Sequence, residues 1–79
     1  MKKEDFRRLK LSKRYKLVQE QGTYLAKRIH GGFLIHLYDF HGYYVEVWKP
    51  AGINLIQWIE VVNRDEILDS YLQDFDIGS

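Results

Sequence analysis

The sequence predicts an α+β fold: a short N-terminal helix, a four-stranded antiparallel β-meander and a C-terminal helix. Three observations carry this reading. The dipeptides GG (31–32) and HG (41–42) separate apolar runs of strand length. Those runs are rich in β-branched and aromatic residues. After the last run, Ile67, Leu68, Tyr71, Leu72 and Phe75 form a stripe at helical spacing.

At 79 residues the chain predicts a single domain spanning 1–79. A domain of this size buries roughly 60% of the surface its unfolded chain exposes, so one modest core is feasible. Hydrophobic residues make up 46%, too many for a disordered chain. Aromatics at 15% are more than so small a core needs, which puts some rings at the surface. There is no cysteine, which excludes disulfides and thiolate zinc sites. The charged start MKKEDFRRLK has no apolar run behind it, and no segment reaches the ~20 apolar residues of a membrane helix. The expectation is a cytoplasmic protein.

The elements follow in order. On one continuous N-terminal helix, Phe6, Leu9 and Leu17 oppose Leu11, Tyr15 and Val18, so the pattern needs a break. Ser12 is read as an N-cap for a helix over 13–21 with Tyr15 and Val18 inward. Residues 1–11 are then a loosely ordered basic arm. Gly22 is read as a left-handed helix stop. TYLAKRIH (23–30), FLIHLYDF (33–40), YYVEVWK (43–49) and INLIQWIEVV (53–62) are the strands, and PAG (50–52) is the third turn. Asn63 caps the last helix, with Glu66 three residues on as in a capping box.

The turns set a register. A two-residue HG turn pairs Phe40 with Tyr43, Tyr38 with Val45 and His36 with Val47. A three-residue PAG turn pairs Val47 with Leu55, Val45 with Gln57, Tyr43 with Ile59 and Tyr44 with Trp58. One face then carries Leu25, Ile29, Leu34, Tyr38, Phe40, Tyr43, Val45, Val47, Leu55 and Ile59, and is assigned to the core beneath both helices. The other is also apolar: Tyr24, Ala26, Ile35, Leu37, Tyr44, Trp48, Ile56 and Trp58, with Arg28, Asp39, Glu46 and Glu60 among them. Large aromatic patches with scattered charge mark interaction surfaces. Tyr24, Ile35, Leu37, Tyr44, Trp48 and Trp58 are therefore the expected interface with another chain, most simply a second copy in a homodimer. In a symmetric pair Arg28 of one copy meets Glu46 or Glu60 of the other. A one-residue slip in register would exchange the faces.

The near-neutral net charge of +1 conceals a division. Residues 1–30 hold ten of the twelve basic residues against three acids, a net of about +7. The remainder carries about −6. Lys10, Lys13, Arg14 and Lys16 are the candidate nucleic-acid contacts, because phosphate binding needs cations on one accessible surface. The alternative is a solvated basic face near Asp74 and Asp76, which sit badly at the negative end of the last helix.

Other chemistry is weakly signalled. His30, His36 and His41 lack the spacing that aims two imidazoles at one metal. Asp39, Glu46 and Glu60 share a face, but nothing in the sequence builds a cleft around them. Ser12, Ser70 and Ser79 have no nucleophile context, and no Gly-rich phosphate loop exists. No cofactor, metal or catalytic residue is assigned.

The segments GTYLAKR (22–28), LYDFHGYYVEVW (37–48) and LDSYL (68–72) resemble a group of small uncharacterised bacterial α+β proteins. The resemblance covers residues 12–77 and implies the fold alone. The sequence thus leads to a non-enzymatic association module, a homodimer or small adaptor, with a nucleic-acid-binding accessory protein as the alternative.

Overall fold

A computed structural model describes residues 1–63 together with Asp65, Ile67 and Tyr71. The elements are α1 (Lys3–Arg7), α2 (Leu11–Gln21), β1 (Thr23–His30), β2 (Phe33–Phe40), β3 (Tyr43–Pro50) and β4 (Trp58–Val62). The strands form one antiparallel meander in the order β1-β2-β3-β4. Both two-residue turns have the geometry their sequences demand. Gly31 and Gly32 have φ of 52° and 86°, as do His41 and Gly42. Two consecutive positive φ values match the twist of a hairpin's flanking strands.

The β2–β3 register is the predicted one, with Phe40 opposite Tyr43, Tyr38 opposite Val45 and His36 opposite Val47. The β3–β4 register differs. Val47 faces Ile59, Val45 faces Val61, and Trp48, not Tyr44, faces Trp58. The predicted fourth strand began at residue 53. Residues 51–57 instead form a long connection, held by Ala51 N–H to the Gly32 carbonyl and Gln57 N–H to the Trp48 carbonyl. The register moves by four residues, an even number, so the side chains of β4 keep their assigned faces. Leu55, expected in the core, lies in the connection and is 65% exposed.

In β1 the register shifts between Tyr24 and Ala26, leaving Leu25 as a bulge residue. The bulge reverses the parity of the strand. Tyr24 therefore pairs with Tyr38 on the helix-covered face, opposite to expectation, and Leu25 is exposed rather than buried. Ile29 lies on the predicted face but at its far end, and is 72% exposed.

One face is covered by α1 and α2. Its core joins Phe6 and Val18 to Phe40, Val45, Val47 and Ile59, with Leu11, Tyr15, Leu17, Tyr38 and Tyr43 packed around them. The first eleven residues are not a loose arm. Phe6 is fully buried, its ring 4.9 Å from that of Phe40, and the Tyr43 hydroxyl donates to the Met1 carbonyl. The helix break falls earlier than predicted. Lys10, not Ser12, is the N-cap of α2, and its side chain makes no capping bond. Gly22 ends α2 with φ of −87°, so a left-handed conformation is not its role. A Cβ there would lie 2.6 Å from the Val18 carbonyl oxygen, and close approach is what requires glycine.

The second face is covered by the same chain. Ile67 and Tyr71 are buried against Leu37, with Ala26, Tyr44 and Val62 around them. Asn63 caps as predicted: its Oδ1 accepts from Asp65 N–H and its carbonyl from Ile67 N–H. Glu66, Leu68, Leu72, Asp74, Phe75 and Asp76 lie outside the described residues, and so does most of the predicted helix.

Candidate nucleic-acid interface

The residues expected to meet another chain do not form one open surface. Ile35 is fully buried and Leu37 is 3% exposed within the chain. Tyr44 packs beside Ile67 and Tyr71, and Trp48 is partly buried between Phe33 and Arg28. Only Tyr24 and Trp58 of the six stand half exposed, and the bulge puts them on different faces. The expectation put everything outside the sheet on one face, whereas Ile67 and Tyr71 pack on the other.

Arg28 and Glu46 of this face pair within the chain. Arg28 Nε donates to Glu46 Oε2 at 3.1 Å, and the Tyr71 hydroxyl donates to the same oxygen at 3.0 Å. The Arg28 guanidinium also lies over the Trp48 and Tyr71 rings. Glu46 is 2% exposed, and burial of that depth demands such partners. Burial alone would lower the Arg28 pKa, but the hydrogen bond and charge of Glu46 outweigh it and the net is upward. Burial, then the Glu46 charge, pushes the Tyr71 phenol far above its ordinary value. It therefore remains a donor.

The basic residues do converge. Arg8, Lys10, Lys13 and Lys16 line one open depression with Leu9 and Ser12, where α1 gives way to α2. All four cations are exposed and none has an ion pair among the described residues. Among the described residues no carboxylate lines this depression. Three of the four were legible as candidates. Arg8 was not, because no local pattern orders the segment that carries it.

Arg14 is the exception among the predicted contacts. It is 9% exposed, and its Nη1 donates to the Ile59 carbonyl on β4 at 2.8 Å. Its guanidinium lies 5.3 Å from the centre of the Trp58 ring, and its buried Nε has no hydrogen-bond partner. The reason is helical phase. Leu11, Arg14, Tyr15 and Val18 fall at spacings of 3, 1 and 3 on the inward side of α2. A second depression of about 260 Å³ opens here, lined by Arg7, Arg14, Trp58, Ile59, Glu60 and Val61. Arg7 and Arg14 adjoin in sequence Arg8 and Lys13 of the first depression, so cations line both.

The histidines are separated. His30 stands edge-on to Trp48, His36 Nδ1 meets the Tyr24 hydroxyl at 3.1 Å, and His41 Nε2 meets Gln21 Oε1 at 2.6 Å. Among the described residues no group of three His, Asp or Glu is placed to hold a metal ion, and no helix is long and apolar enough to cross a membrane. No protein-family model, curated protein or solved structure matches this chain. The functional reading therefore rests on the residues themselves.

Proposed function

We propose that this protein is a non-enzymatic binding module that holds the phosphate backbone of a nucleic acid on its α1–α2 surface. The observation that carries the reading is the convergence of Arg8, Lys10, Lys13 and Lys16 on one depression, with no neutralising carboxylate among the described residues that line it. Cations placed so repel one another. They also crowd the N-terminal end of α2, whose first turn holds no acid to balance the helix dipole. A bound polyanion relieves both. The measurement is fluorescence anisotropy with a labelled oligonucleotide at rising salt. Affinity should fall linearly in log–log form, with a slope near the number of phosphates neutralised. Arg8→Gln, Lys13→Gln and Lys16→Gln together should remove most of the binding and flatten that slope. Arg14 is spared because it holds β4. No binding at low salt would end the proposal.

A second reading, association with another copy of the chain, draws on a different surface from the predicted one. Ile29, Ile53 and Leu55 are exposed at the end of the sheet where the Ala51–Gly32 bond ties two turns together. Exposed apolar groups gathered in this way favour contact with another protein. Light scattering at high concentration tests it: a dimer that Leu55→Glu returns to monomer supports it, and a wild-type monomer removes it.

A further inference from the structure

We infer that the nucleic acid is single-stranded, with Trp58 as the platform on which an unpaired base stacks. The inference rests on the phosphate-binding reading above and adds the substrate class. Trp58 is 50% exposed, although it is among the largest apolar side chains in the protein. It is also held in place. Arg14 lies over its ring, and Arg14 is itself fixed by the Ile59 carbonyl and by nine-tenths burial. A cation on a ring face is attractive and limits the ring's motion, so stacking on the open part costs less ordering entropy. Arg14 lines the same depression, beside the ring it covers.

The division of charge supports a base at this position. Glu60 also lines the depression and opposes a phosphate there. The neutral base is the part of a strand that tolerates it. The phosphates have Arg7, Arg8, Lys10 and Lys13 along the same run of chain. Aromatic platforms beside a cationic track hold single strands with little sequence preference, because every base has a π-face. In a duplex those faces are stacked on one another and unavailable.

The experiment compares three labelled ligands of equal length on the intact chain: an oligothymidylate, an abasic oligodeoxynucleotide and a duplex. The oligothymidylate should bind tightest. Trp58→Leu should weaken it by about 5- to 150-fold, the worth of one stacked base, and leave the abasic strand unchanged. Trp58→Phe should restore part of the difference. Equal affinity of wild-type protein for all three ligands would overturn the inference yet leave the phosphate reading standing. That comparison needs no variant, so a misfolded Trp58→Leu protein does not rescue the idea. Tighter binding of the duplex would overturn it as well. Binding to none of the three would remove both readings.

Discussion

The two faces of this sheet are closed by different means. Beneath α1 and α2 the seal is apolar: Phe6 and Val18 press on Phe40, Val45, Val47 and Ile59, all buried. Beneath Ile67 and Tyr71 the seal is organised around a charge, with Glu46 held by Arg28 and the Tyr71 hydroxyl. Apolar contact is tolerant of small shifts, since it has no direction. A buried carboxylate is not. It must find its donors in one geometry or remain an uncompensated charge. The first face therefore supplies stability, and the second fixes where Tyr71 meets the sheet.

That contrast is open to disruption from either side. The largest effect should come from Phe6→Ala, which empties the centre of the apolar seal. Urea denaturation should show a loss of about 3–5 kcal/mol. A loss below about 1 kcal/mol would mean that α1 contributes little and that residues 1–11 act as the arm the sequence suggested. Next is the polar seal. Glu46→Ala strands Arg28, which is only 14% exposed, and should cost about 3 kcal/mol. Replacing the group together, as Arg28→Met, Glu46→Leu and Tyr71→Phe, should recover most of that loss in the same assay. A triple variant no better than Glu46→Ala would show that the ion pair stabilises the fold outright instead of selecting one arrangement.

The smallest effect is on the helix-covered face, and it depends on pH. Burial first, then Lys49 and Lys27, holds the His36 pKa below its ordinary value. The unfolded chain thus takes up this proton at a higher pH than the folded one. The stability linked to neutral His36 is complete above pH ~6.5, declines as pH falls through that value, and levels off beneath the folded pKa. Between pH 7.5 and 5.5 the wild type should lose somewhat more stability than His36→Gln, by less than about 1 kcal/mol because the ring is half-buried. Equal losses would mean that His36 carries no such linkage.

Much of the fold was legible where a local rule decided it. GG and HG dictated their turns, and the turn length then dictated the β2–β3 register. Asn63 was recognisable as a cap. The readings that went astray depended on one non-local or irregular feature each. The bulge at Leu25 cannot be seen in the alternation of TYLAKRIH, yet it moved Tyr24 to the other face. The 51–57 connection is as apolar as a strand, so pattern alone extended β4 into it. In the candidate site the lysines were visible as charge, but the placement of Arg14 was readable only by putting phase before charge. It stands three residues after Leu11 and four before Val18, and such a position is inward whatever its side chain.

The irregularity in β1 also governs how the protein behaves in a crowd of its own kind. An outer strand eight residues long is a template on which another chain can add its backbone, and then a third. Here the ladder falls out of step at Leu25, so a strand arriving from outside finds in-phase partners only over residues 26–30. Lys27, within that stretch, places a charge in its path. The edge that displaced Tyr24 is thereby a poor seed for fibres, and the chain can keep its apolar sheet without inviting copies of itself to extend it.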